Sequence, residues 1–398
     1  MLKEKKNFFG QLIAFSMLVY LFFLSRRGGD TKDIISILIM IFTLIYSYKE
    51  GVSRYLFYKK EIVISIVYLT LITLSFLFSE NKSNERFYIF THMTLYSIGF
   101  MLVLLNYKLD NRYIKYIFPV LLMLSLPSVY KGIIDVFSHY DELGYYRIDG
   151  GTYTSRYQLE IGIYFLLSFF SMVYYKKKGL KFILCIYTII NFILLLLTQS
   201  RNALIGIFIT FLIIIIILNL KKGIIFFFIF SATVIFSIKY IENIKTVSRI
   251  NSSITSIEKI KNDARYTIYL YGIEHLKENI IKGEGFYKYK EKTLEVSPGI
   301  YYVHLHNVFL ESAITQGLVT SIAYIIFLVA LFIRILKNYF KENDKLKRYI
   351  KLFVVAIYIF SVAHGMFDSI FYFEKIYQLV FTIIAISFII DNNETEKI

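Results

Sequence analysis

The chain has 398 residues, 57% of them hydrophobic and 19% charged, with a formal net charge of +16. Its mean hydropathy of +0.57 leaves too little polar surface for a water-soluble domain, so it reads as a polytopic membrane protein. The one cysteine, Cys185, lies inside an apolar run, which excludes an intrachain disulfide.

The chain opens MLKEKKNFFGQLIAFSMLVYLFFLSRRGGD. A basic start and an apolar run resemble a signal peptide. The run is long enough to span, however, and no small-x-small cleavage site follows, so a retained first helix is expected. Runs of spanning length start near Asn7, Ile34, Ile62, Tyr88, Ile114, Tyr157, Leu180, Asn202, Ile224, Asn307, Leu352 and Ile376. The expected fold class is therefore all-α: one polytopic transmembrane helix bundle over residues 1–398, with about twelve helices of roughly 20 residues.

Lys and Arg concentrate in the short connections between runs, as in YYKKKGLK and RILKNYFKENDKLKRYIK. This is the positive-inside pattern, and it places both termini in the cytoplasm. No basic segment interleaved with exposed aromatics stands outside the runs, so the charge does not point to nucleic acid. Three polar pieces then face outward: Ser138 to Arg156, Thr198 to Asn202, and a long loop at about 239–303. In that loop Asn262 or Asp263 can cap a helix, ARYTIYLYGIEHLKENIIK, which Gly283 would end. Too polar to span, this helix would lie on the membrane surface or cap the bundle.

The stretch YYVHLHNVFLESAITQGLVTS puts His304, His306 and Asn307 where the long loop meets an apolar run. Polar groups at a membrane edge are costly unless satisfied, which marks the stretch as a candidate site. An imidazole at His306 can accept a proton from an attacking hydroxyl, while His304 would point elsewhere if the segment is extended. Arg201, between two apolar runs in LLLLTQSRNALIG, must snorkel, pair or face a polar cavity, and its guanidinium suits a diphosphate. Arg265 falls in the first turn of the external helix, where a cation opposes the helix dipole unless an anion lies between them. Arg147 in YYRIDGGTYTSRY has a Gly pair beside it that permits a tight turn.

Two histidines at this spacing can suggest a metal, but no external Asp-x-Asp accompanies them. The Glu342 to Asp344 triplet lies in a Lys-rich connector and reads as solvated charge. No metal and no cofactor are assigned. There is no G-x-x-x-x-G-K-[ST], H-E-x-x-H or G-x-S-x-G, so ATP hydrolysis, zinc proteolysis and the serine-hydrolase elbow lack support.

These pieces resemble the O-antigen ligase and polymerase superfamily of bacterial inner-membrane proteins. HNVFLESAITQGLVTS keeps that family's His-Asn pair and, nine residues on, its first Gly as Gly317, but has Thr320 and Ser321 where the pattern has Gly and Thr. RIDGGTYTSRYQLEIGIYF, TQSRNALIG and DARYTIYLYGIEHLKENIIKGEGF resemble three further family segments in the same order. The resemblance implies a metal-independent, inverting glycosyltransferase of the bacterial inner membrane, its active site facing the periplasm or cell exterior. The donor would be an undecaprenyl-diphosphate-linked glycan, and the acceptor lipid A-core or a second lipid-linked glycan. His306, Arg265 and Arg201 would be catalytic; Asn307, His304, Arg147 and Gly317 would bind substrate. A polysaccharide polymerase shares this chemistry, as does an oligosaccharyltransferase that modifies protein. A lipid-oligosaccharide flippase is the rival from another class, but it would want charge along an internal cavity, and the runs carry little beyond Lys131 and Asp368 near their ends.

Overall fold

The structure, a computed structural model, describes residues 2–25, 30–50, 58–79, 84–142, 146–151, 154–219, 264–278, 280–285, 294–297, 300–302, 305–368 and 374–391. The run expected near Ile224 and the capping candidates Asn262 and Asp263 lie outside these residues.

Helices α1 (Leu2–Ser25) and α2 (Thr31–Glu50) form a hairpin, followed by α3 (Lys59–Phe78) and α4 (Asn84–Met93). A π-helical turn over Thr94–Gly99 joins α4 to α5 (Phe100–Leu104). Then come α6 (Asn111–Ile114), α7 (Ile117–Ser138), α8 (Thr154–Tyr174), α9 (Lys178–Leu197) and α10 (Arg201–Leu218). The segment between α10 and α12 supplies α11 (Ala264–Glu278) and an antiparallel hairpin, β1 (Leu294–Ser297) with β2 (Ile300–Tyr302). Last are α12 (Val308–Gln316), α13 (Leu318–Phe340), α14 (Lys345–Gly365) and α15 (Glu374–Ile389). Apart from that hairpin, the described chain is a helix bundle.

Among the described residues, eight helices are long and apolar enough to cross a membrane. At 1.5 Å per residue, about 20 residues match a hydrocarbon core of about 30 Å. The bundle is graded. α14 is buried along nearly its whole length and packs against α8, α10, α13 and α15. The perimeter helices instead expose apolar faces, such as Val63, Ile66 and Val67 on α3 and Phe182, Ile183 and Ile186 on α9. Faces of that kind would drive aggregation in water and are at home in lipid. The chain is a membrane protein.

The run beginning at Asn307 is not one helix: it breaks at Gly317 into α12 and α13. Gly317 has φ +84, and a Cβ there would stand 2.1 Å from the Ile281 carbonyl oxygen. Gly283, expected as the end of the external helix, lies beyond its last turn with φ +69, close against the Gly317 amide. Two glycines thus let the segment 280–285 lie directly on the α12–α13 break, where Leu318 N donates to Ile280 O (2.7 Å) and Gly285 N to Thr315 O (2.9 Å). Helix α11 docks onto the bundle through this tether, with Ile268 buried against Leu305 and Ile314.

Charge inside the bundle is more abundant than the apolar runs suggest. Glu342, read from sequence as solvated, is buried, and Lys351 Nζ donates to its Oε2 (2.7 Å) and to Asp391 Oδ1 (3.2 Å). The connector folds back under the bundle, so local Lys content misjudged its exposure. A second buried network joins α2, α4 and α15: Lys32 Nζ donates to Asp33 Oδ1 (2.8 Å) and lies 3.2 Å from His92 Nε2, and Gln378 Nε2 donates to Asp33 Oδ1 (3.2 Å). Removing one member of a buried ion pair strands the other. Asp33→Ala is expected to destabilise the bundle by about 3–5 kcal/mol, seen as a lower thermal unfolding midpoint of the detergent-purified protein. An unchanged midpoint would show that the network does not hold these helices.

Candidate active site

One end of the bundle gathers residues 135–142 and 146–151, the α9–α10 turn, the start of α8, the start of α12 and the end of α14. The loop 146–151 is tied down from below by Asp135 on α7. Its Oδ2 accepts from the amides of Asp149 (2.7 Å) and Gly150 (3.0 Å), and its Oδ1 from the Tyr146 hydroxyl (3.2 Å). Gly150 has φ +57, and a Cβ there would fall 2.5 Å from the Tyr157 ring, so the RIDGG turn requires glycine at this position. With the turn fixed, Arg147 Nε donates to Thr198 O (3.0 Å). A cation on the terminal carbonyls of α9 is favourable, and this contact gives Arg147 a local role in shaping the turn that precedes Arg201.

That turn is zipped to the loop by Ile148 N donating to Leu197 O (3.3 Å) and Gln199 Nε2 to Tyr146 O (3.0 Å). Ser200 caps α10, its Oγ accepting from Ala203 N (3.2 Å), which starts the helix at Arg201. Arg201 is half-buried at this edge. Its neighbour Asn202 is buried and donates from Nδ2 to Phe367 O (3.0 Å).

Asn307 approaches the same corner from α12. Its Oδ1 caps the helix by accepting from Phe309 N and Leu310 N, both at 3.0 Å, while Nδ2 donates to Met366 O (3.1 Å). The two asparagines therefore each take one of the orphan carbonyls past the end of α14. On the other side of the cap, buried Glu311 accepts from Leu305 N (3.0 Å). Between these braces His306 is held at φ +52, a left-handed conformation uncommon outside glycine and tolerated best by Asn, Asp and His.

The held carbonyls place Asp368. Its Oδ1 lies 3.2 Å from His306 Nδ1, and Gln158 Nε2 on α8 donates to its Oδ2 (3.2 Å). The Asp368 side chain is 2% exposed and that of His306 18%, so the carboxylate is sealed and the imidazole reaches the surface of the corner. A carboxylate only accepts, which puts the ring proton on Nδ1 and makes Nε2 the basic nitrogen. The arrangement can take a proton from a hydroxyl presented at Nε2 and hold the resulting imidazolium against Asp368.

The structure thus brings together His306, Asn307 and the start of α10 at Arg201, with Arg147 behind that turn. Gly317 stands at the opposite end of α12, where its backbone contacts with 280–285 account for glycine. Arg265 lies in α11, one helical turn before Tyr269, whose hydroxyl donates to His306 O (3.4 Å); the Arg265 side chain and the whole of His304 lie outside the described residues. Sequence reasoning did not assign Gln158, Asn202 or Asp135 to the site, and it noted Asp368 only as charge near the end of a run. The available signal was the rule that an ionisable residue within a spanning run is functional until shown otherwise, which flags Asp368 and, on α8, Glu160.

Residues 186–325 match a family model described as O-antigen ligase. That stretch, about a third of the chain, is what resembles the O-antigen ligase family. The matched stretch runs from α9 to the first turns of α13 and contains Arg201, Arg265, His306, Asn307 and Gly317; Arg147, Gln158 and Asp368 fall outside it. No curated protein matches the chain. The corner at His306 lies within or beside this matched stretch.

Proposed function

We propose that the protein is an O-antigen ligase: it moves a glycan from undecaprenyl diphosphate to a sugar hydroxyl of lipid A-core, on the periplasmic side of the bacterial inner membrane. The observation that carries this reading is the Asp368–His306 pair, with a basic Nε2, at a half-open corner within or beside the matched family stretch.

The donor already holds a good leaving group, so the protein's task is to position the acceptor and neutralise the charge that builds on the diphosphate. The acceptor oxygen attacks the anomeric carbon, the bond from that carbon to the phosphate oxygen breaks, and the hydroxyl proton passes to His306 Nε2. Undecaprenyl diphosphate leaves with the bonding electrons, and Arg201 and Arg265 neutralise it with planar, charged donors. Attack from the face opposite the diphosphate inverts the anomeric centre. Nothing in these steps calls for a nucleotide.

The polymerase reading has one observation in its favour: the pattern departs from the family at Thr320 and Ser321, both buried, with Ser321 Oγ donating to Phe309 O (3.3 Å) beneath the catalytic helix α12. A gel of surface glycolipids from a strain lacking the gene, with the lipid-linked pool measured in parallel, decides between them. Unsubstituted core with long glycan accumulating on undecaprenyl diphosphate is the result expected of a ligase. Core carrying a single repeat unit would make the protein a polymerase, and unchanged pools would overturn both.

A further inference from the structure

Gln158 is a buried amide on α8, 2% exposed, in a helix whose other buried positions are mostly apolar. Its Nε2 donates to Asp368 Oδ2, while its Oε1 is sealed from solvent with no hydrogen-bond partner among the described residues. A buried unsatisfied carbonyl is costly, and apolar residues of similar size would avoid the cost. The side chain therefore has a use that outweighs its orphan acceptor, and its contact with the carboxylate points to what that is. The amide cannot be reversed, because a carboxylate accepts only and needs the N–H.

We propose that Gln158 is a positioning residue for glycan transfer: its amide N–H fixes the Asp368 carboxylate, and the carboxylate in turn fixes the His306 ring. Asp368 has two oxygens to satisfy in a sealed site. One faces His306 Nδ1 and the other faces Gln158, at 3.2 Å each, so the carboxyl plane is set from both sides. Without the amide, the carboxylate loses a donor and a rotational stop, and the imidazole loses the partner that sets its tautomer. Partners that orient metal-ligating histidines matter about 10–100-fold, and a carboxylate's partner behind a catalytic histidine is expected to act on the same scale. The inference rests on His306 acting as the base.

The test compares Gln158→Met, Gln158→Glu and His306→Ala in the purified full-length protein, with an undecaprenyl-diphosphate-linked glycan and a core acceptor. Met keeps the volume and removes the donor. In the Gln158→Glu variant the introduced carboxyl would share a proton with Asp368, because two carboxyl groups at hydrogen-bond distance do not both ionise readily. At acid pH its O–H replaces the amide N–H; at higher pH the proton is lost and two carboxylates repel. The other titratable or charged groups at this end of the packed elements include His306 and Glu311 at the α12 edge, His364 on α14, Arg201 on α10, Arg156 and Glu160 on α8, Asp135 on α7, and Glu374 and Lys375 on α15. All of these are common to wild type and both Gln158 variants, so the new limb belongs to the carboxyl pair.

For Gln158→Met, kcat is expected to fall about 10–100-fold with donor KM little changed. Gln158→Glu is expected to recover most of the rate at the acid end and to lose it along an alkaline limb that the wild type lacks. A purely structural glutamine would give a fully active Met variant, or a Glu variant whose pH profile parallels the wild type; either result overturns the proposal. If His306→Ala keeps full activity, the base assignment itself is wrong. If it is inactive while Gln158→Met matches the wild type, only the role of Gln158 fails.

Discussion

His306→Ala is expected to reduce glycan transfer about 10²–10⁴-fold, the contribution of a positioned general base, while the protein still reaches the membrane. The fold should tolerate the change, because the α12 cap is made by Asn307 and not by the histidine. Alanine at φ +52 does carry a backbone cost of about 1–2 kcal/mol that histidine and asparagine meet more easily. His306→Asn is therefore the sharper variant: it accepts the left-handed backbone and has no basic nitrogen. Both variants should be inactive in initial-rate assays of purified protein. An active Asn variant beside an inactive Ala variant would mean that backbone shape, not proton transfer, is what the position supplies.

Arg201→Ala and Arg265→Ala are each expected to lower kcat about 10²–10³-fold, the scale of losing one preorganised donor to developing charge. The double variant should lose less than the product of the two, since in the proposed mechanism both act on one diphosphate. Lysine at either position should recover part of the rate, as a point charge without the planar fork. Arg147→Ala is a useful contrast, because Arg147 Nε is engaged by Thr198 O (3.0 Å). A loss there should appear as lower thermal stability together with lower rate. If Arg201→Ala leaves kcat and donor KM unchanged, its place at the edge is snorkelling alone.

What the sequence discloses well is whatever depends on neighbours along the chain. Spanning length is a local property, so α3, α7, α9, α10 and α13 are legible as apolar runs. Caps are local too: Ser200 before Arg201 and Asn307 before Val308 each satisfy an amide two or three residues on. The polar cluster at His306 stands out because it interrupts that pattern at a run's end.

Partners across helices are a different matter. Asp368 is 62 residues from His306 in the chain and Gln158 is 210 from Asp368. Each sits near the end of a run, where a polar residue is ordinary, and only the packing of α8 and α14 brings them to one point. Arg147 and Asp135 show the same limit. In sequence the first reads as a plain loop arginine; in the fold it is locked onto α9 because Asp135 gathers the loop's amides. Glu342 is missed for the complementary reason: charge density in a connector says nothing of whether its side chains turn in toward the bundle.

The measurement that tests the account most directly is transfer by the purified wild-type protein in lipid, given undecaprenyl-diphosphate-linked glycan and core acceptor, with the anomeric configuration of the new linkage read by NMR. The expected result is a core-linked product with the configuration inverted, one undecaprenyl diphosphate released per linkage, and neither with His306→Asn. Retention of configuration, or product formation by the asparagine variant at the wild-type rate, would contradict it.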